Sequence, residues 1–248
     1  MLSLYSWGYN TNGQLGQNNT TNYSSPVQVG SDTNWSKIGA GTEGSGMAIK
    51  TDGTLWTWSK ASYGATGHNN QTVYSSPKQV PGSTWNEVAG QQQGMTATKT
   101  DGTLWTWGQN SDGQLGQNEG SLFNTHMSSP VQVGGDTDWD KPVDCRSKCG
   151  AAIKTDGTLW MWGENSAGIL GQNNKTDYSS PVQVPGTWAS AVMGRDVSLA
   201  TKTDGTLWAW GDNTQGELAQ NHDNERSSPV QIPGTTWGTG AGSLASSD

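Results

Sequence analysis

Phenylalanine is almost missing from this chain: there is one in 248 residues, beside two cysteines, three histidines and a charged fraction of only 14%. The cysteines, Cys145 and Cys149, are too few for a disulfide framework and have no matching Cys/His pair to hold zinc. Nothing approaches the run of about 18 apolar residues needed to span a bilayer. Residues 1–15 show no basic segment followed by an apolar one, so neither a membrane span nor a signal peptide is predicted. Lysine and arginine, 13 against 21 Asp and Glu, are spread singly at a net charge of −8. No basic stripe exists to neutralise phosphates, which disfavours nucleic acid as a partner.

What the chain has instead is glycine, 35 residues, and tryptophan, 14. So few Leu, Ile, Val and Phe would ordinarily suggest disorder, but the tryptophans supply the missing apolar area. Abundant Gly, Asn, Ser and Thr suit short strands joined by tight turns, and the chain reads as all-β.

The organisation is a repeat. "KTDG" begins at Lys50, Lys99, Lys154 and Lys202, and "SSP" reaches its proline at Pro26, Pro77, Pro130, Pro181 and Pro229. Five units of ~50 residues tile the chain, at about 1–53, 54–102, 103–157, 158–205 and 206–248, as a single domain. Every tryptophan falls in phase. Trp56, Trp105, Trp160 and Trp208 open a W-x-W, with Tyr5 in the first copy, and Trp7, Trp58, Trp107, Trp162 and Trp210 close it. The other five, Trp35, Trp85, Trp139, Trp188 and Trp237, follow each "SSP" proline by 7 to 9 residues.

Within one unit, Gly150–Thr155 alternates small or apolar with polar residues, Asp156–Gly157 suits a type I′ turn, and Thr158–Gly163 returns as the paired strand. A loop rich in Asn and Gly follows, then "SSPVQV" at Ser179–Val184, where Pro181 fits only a strand start or an edge. A short stretch around Trp188 completes four strands. Four-stranded units at this period predict a β-propeller whose blades pack face to face, with the indoles filling the gap between them.

The run W-G-x-N-x-x-G-Q-L-G, at Trp7–Gly16 and Trp107–Gly116 with variants at Trp162–Gly171 and Trp210–Ala219 and a worn copy at Trp58–Gly67, resembles the regulator of chromosome condensation repeat. "SSPVQV" and "KTDGTLW" extend the likeness from end to end. The resemblance implies a propeller, usually seven-bladed, that serves as a rigid platform for protein partners. Members include exchange factors for a small nuclear GTPase, a secreted β-lactamase inhibitor, and many bacterial and phage proteins. The near-identical copies with Asn/Gln/Thr-rich loops look like the bacterial or phage kind. The function expected from it is a non-catalytic, protein-binding or structural scaffold, as in a virion or bacterial surface component. The alternative is a regulator of a small GTPase that acts as an exchange factor, against which stands the lack of a long loop to wedge into a nucleotide site.

Two departures bear on the ring. The last unit stops at Asp248, 11 residues after Trp237, whereas earlier units reach their lysine 14 or 15 residues after the equivalent tryptophan. The first begins at Leu4 and Tyr5, already past that strand. Either the ring is small or open, or further chain supplies the strand, which is the expectation here, or a neighbouring chain does.

No catalytic set, cofactor or metal site is expected. His68, His126 and His222 fall on loops as solvated residues, without a Ser or Cys nucleophile at any telling spacing. The acidic series Asp52, Asp101, Asp156 and Asp204 is accounted for by the D-G turn. The "NTNG" and "NSDG" loops lack the later bidentate Glu of a calcium loop. Cys145 and Cys149 read as a buried thiol or a chance pairing. One irregularity remains: ten residues separate Gln117 from Ser128, against six between Gln17 and Ser24. The enlarged loop carries Leu122, Phe123, His126 and Met127, an apolar tip suited to anchoring a partner protein.

Overall fold

A computed structural model describes residues 2–41, 44–119 and 125–238. Strands β1 (Tyr5–Gly8) and β2 (Tyr23–Gln28) form a two-stranded sheet. Four antiparallel sheets of four strands follow. They comprise β3 (Trp35–Ala40), β4 (Gly46–Lys50), β5 (Leu55–Ser59) and β6 (Tyr74–Gln79); then β7 (Trp85–Gln91), β8 (Gly94–Lys99), β9 (Leu104–Gly108) and β10 (Met127–Gln132). The third holds β11 (Trp139–Pro142), β12 (Cys149–Lys154), β13 (Leu159–Gly163) and β14 (Tyr178–Val184), and the fourth β15 (Ser190–Met193), β16 (Val197–Thr201), β17 (Leu207–Gly211) and β18 (Arg226–Ile232).

Each sheet is a meander in chain order, so every pairing is made by a local connection. Sheets and sequence units are out of phase. The stretch after Trp188 pairs with β16, the strand of the next phrase, rather than closing the hairpin before it. The "KTDG" turn also differs from the type I′ reading. Gly53 donates to Lys50 O at 2.9 Å and Lys50 to Thr54 O at 2.9 Å, which makes a three-residue loop. Only the glycine takes positive φ, +78° at Gly53 and +82° at Gly157. Asp can then stay in the right-handed region, where its carboxylate reaches the following threonine.

The chain divides into two compact units, Met1–Ser111 with Asn124–Thr137, and Asp112–Phe123 with Asp138–Asp248. The first centres on Met47, Ile49, Leu55, Val80, Trp85, Met95, Ala97 and Trp107, where the sheets β3–β6 and β7–β10 meet. The second centres on Ala151, Leu159, Met161, Leu170, Trp188 and Trp210, between β11–β14 and β15–β18. Trp58, Trp107, Trp162 and Trp210 are at most 5% exposed. At about 25 cal/mol per Å² each such indole contributes about 4–6 kcal/mol of burial, an upper figure because the unfolded chain is itself partly collapsed. Gly46 and Gly150 lie beneath these rings: a Cβ would fall 2.0 Å from Trp58 and 2.4 Å from Trp162. Two tryptophans depart from the buried role expected of all fourteen. Trp7 is 60% and Trp237 42% exposed, each on an end whose neighbouring sheet is not among the described residues.

Cys145 and Cys149 form a disulfide across a four-residue separation. The loop it closes lies beside β15, where Arg146 donates to Met193 O at 3.1 Å and Met193 to Asp144 O at 3.1 Å.

Candidate functional site

The repeated charged residues are engaged in structural bonds. In each "KTDGTLW" the Asp carboxylate accepts the backbone N–H and the hydroxyl of the threonine two residues on, at 2.9–3.0 and 2.6–2.7 Å. The threonine oxygen in turn accepts the indole N–H of Trp56, Trp105, Trp160 or Trp208 at 2.8–2.9 Å. The threonine hydrogen bonds hold the carboxyls of Asp52, Asp101, Asp156 and Asp204 below the ordinary value of 3.8. The lysine lies between two rings. Lys50 Nζ is 4.9 Å from the Trp35 ring centre and 3.9 Å from that of Trp56, and the other three copies repeat the arrangement at 4.0–5.2 Å. Asp32 and Asp138 pair with Lys50 and Lys154 at 2.9 and 3.0 Å.

The loops after the W-x-W strands are built on a buried asparagine. Asn165 is 0% exposed. Its amide donates to Asn174 O and Thr176 O at 3.1 and 3.0 Å, and its oxygen accepts the Leu170 N–H at 2.9 Å. Asn10 and Asn213 do the same in their own loops. These asparagines explain the "NTNG"-type stretches as self-bonded loops. In the worn copy Ala61 replaces the asparagine, and the loop instead forms a 3₁₀ turn at Ser62–Gly64 with Tyr63 at φ 56°.

The three histidines stay apart, each engaged in its own loop rather than simply solvated. Thr57 Oγ1 donates to Thr66 O at 2.6 Å, so it accepts the His68 Nε2–H at 3.1 Å. Burial, with the Lys78 charge, lowers the His68 pKa from 6.5 to about 4. His222 Nδ1 accepts the Asn224 N–H at 3.2 Å. Among the described residues, no three His, Cys, Asp or Glu gather into a group that could hold a metal ion. A small cavity lined by Ser45, Lys60, Ser62, Gln91, Gly41 and Gly94 holds about 10 Å³, room for one water.

Of the enlarged loop, Leu122 and Phe123 lie outside the described residues. His126 and Met127 form its base. His126 Nδ1 accepts the Asn110 N–H at 3.1 Å, the place taken by the Asn22 and Asp177 oxygens in other loops, and its ring meets Tyr63 edge-on at 4.4 Å. Met127 opens β10 and packs on the Met47–Trp107 core. The exposure of the aromatics Tyr5 (51%), Trp7 (60%) and Tyr9 (62%) escaped sequence reasoning, because position in a repeat does not state how much of a side chain is covered.

The profile of the "Regulator of chromosome condensation (RCC1) repeat" matches residues 3–47, 101–150, 156–201 and 204–238. The ultraviolet-B receptor UVR8 of Arabidopsis thaliana is 28% identical over 183 residues, 73% of this chain and 41% of the receptor. Human WBSCR16 superposes with a TM-score of 0.78 at 21% identity, over 93% of this chain and 63% of that one. Yeast RCC1 (Prp20), in a structure bound to Kap60, superposes at 0.81 and 16% identity over 94% and 57%. Saccharomyces cerevisiae Prp20p, whose structure was described together with its binding to Gsp1p and histones, gives 0.81 at 15% over 94% and 59%. The chain thus spans less than two thirds of each of these proteins, and the likeness to the solved structures establishes the fold: an all-β propeller of four-stranded blades.

Proposed function

The chain belongs to the regulator of chromosome condensation repeat family, and from that premise we propose that it is a non-catalytic propeller scaffold that binds another protein. The observation carrying this reading is that the repeated Lys and Asp, the groups a catalytic site would draw on, are spent on indole and turn contacts in every copy. What the repeat does not use is the enlarged loop of the third unit, held at its base by His126 and Met127. Leu122 and Phe123 on that loop enter the partner, a protein; a virion or bacterial surface is the setting that suits a repeated, Asn-rich scaffold. Affinity capture from the source with wild type and Phe123→Ala tests this. The expected result is loss of one partner with the melting temperature unchanged; an unchanged capture profile, or a large drop in melting temperature, would overturn the assignment. A nucleotide-release assay on small GTPases separates the scaffold from an exchange factor, and acceleration of release would replace the first reading with the second.

A further inference from the structure

The dipeptide Asn-Gly occurs once in the chain, at Asn12–Gly13. With no Cβ on the glycine, nothing on that residue hinders its backbone nitrogen from approaching the asparagine side chain. Asn12 is exposed, and its side-chain amide makes no hydrogen bond among the described residues. Its contacts are made by its backbone: the N–H donates to Gln14 Oε1 at 2.9 Å and the carbonyl accepts the Ser59 hydroxyl at 3.3 Å.

Chemically similar groups elsewhere are held. Asn10 is buried, and its amide donates to Asn19 O and Thr21 O, both at 3.0 Å. The amides of Asn19, Asn70 and Asn174 each donate to the carbonyl two residues back and to a tyrosine hydroxyl, at 2.9–3.2 Å. Among the Asp-Gly pairs, the carboxylates of Asp52, Asp101, Asp156 and Asp204 are kept ionised by their threonines, and an ionised carboxylate is a poor target for a nucleophile. Asp112, which stands in the third loop where Asn12 stands in the first, is paired with Lys148 at 3.2 Å.

We infer that Asn12 is a site of self-modification, losing its side-chain amide to give aspartate or isoaspartate through a succinimide formed with Gly13. Gly13 N gives up its proton, and with it the 2.9 Å hydrogen bond to Asn10 O, and attacks Asn12 Cγ. The new N–C bond forms as the Cγ–Nδ2 bond breaks, and ammonia leaves. Water then opens the ring at either carbonyl. Opening at Cγ restores the ordinary backbone with an aspartate. Opening at the main-chain carbonyl leaves the chain running through the former side chain, one methylene longer.

The fold separates the two products. An aspartate is already accommodated, because the third loop carries Asp112 in the same setting: its N–H donates to Gln114 Oε1 at 2.8 Å, and Gly113 presses on Ser179 as Gly13 does on Ser75, where an added Cβ would stand 2.9 and 2.7 Å away. The isoaspartate is not, since the extra methylene displaces Gly13 from Ser75 and disturbs the neighbouring bonds from Asn18 N–H to Ser75 O at 2.6 Å and from the Trp58 indole to Gln14 O at 2.9 Å.

Peptide mapping of the full chain by mass spectrometry, after incubation at a series of mildly alkaline pH values, is the test, with an isoaspartyl methyltransferase to count the isoaspartate. Amide loss should appear first at Asn12 and rise with pH, because the attacking nitrogen must be deprotonated. Freshly prepared Asn12→Asp should melt as wild type does, whereas aged chain carrying isoaspartate should melt about 2–4 °C lower, the shift that losing one turn hydrogen bond gives a chain of this size. An Asn12 amide that outlasts those of other asparagines, or is lost no faster at higher pH, would overturn the proposal. So would isoaspartate-bearing chain that melts as Asn12→Asp does.

Discussion

At the scale of single residues, the phrase K-T-D-G-T-L-W is a small machine for placing one indole. The aspartate orders the threonine, the threonine oxygen takes the indole N–H, and the lysine covers the ring face. Thr158→Val removes both threonine hydrogen bonds and should cost about 1–2 kcal/mol, read as a shift of the urea midpoint; Thr158→Ser should recover most of it. Acid should act in two windows. His68 has a folded pKa of about 4 against 6.5, so the stability it contributes is complete above 6.5 and is lost as pH falls towards 4. The four turn aspartates, lowered from 3.8, lose theirs below that value as they protonate. Melting temperature against pH for wild type and His68→Gln should show the first window flattened in the variant and the second unchanged. Asp and Gly at the turn were readable from the dipeptide. The Asp–Thr–Trp relay was not, because it depends on the turn being a three-residue loop with only glycine at positive φ.

At the scale of strands and loops, the two classes of indole differ in their polar end. Trp162 donates to Gln114 O at 2.8 Å, whereas the buried N–H of Trp188 has no acceptor among the described residues. Trp162→Phe should therefore destabilise more than Trp188→Phe by about 1–2 kcal/mol, since only the first leaves a buried carbonyl unpaired; chemical denaturation of the two variants decides it. Gly150→Ala should cost about 1–3 kcal/mol, because the methyl collides with the Trp162 ring, and Gly150→Ala combined with Trp162→Leu should cost less than the sum of the two alone. The hairpins and "SSP" strands were legible from alternation and proline. The grouping of strands into sheets was not, since a strand after Trp188 reads equally well as the end of one unit or the start of the next.

At the scale of the whole chain, the fourteen tryptophans give a single optical readout of the architecture. Under acrylamide, a small quenched fraction with red-shifted emission should come from Trp7 and Trp237, 60% and 42% exposed, while the deeply buried closing indoles stay protected. Trp7→Phe should remove the larger part of that fraction in dilute solution; broad quenching of most indoles would contradict the packing described above. The net charge of −8 also bears on partners: it favours docking by shape and apolar contact, or onto a basic protein surface, over any polyanion.

The repeat, the all-β class, the four-strand module and the structural use of the tryptophans follow from the sequence alone, because period and phase are one-dimensional properties that packing must respect. The tertiary structure decided the rest: which strands share a sheet, that Cys145 and Cys149 are bonded, which groups the loop asparagines and the turn threonines bond, and that Trp7 and Trp237 are the exposed indoles among the described residues. These depend on what stands opposite a residue in space, whereas a repeated sequence assigns every copy the same neighbour.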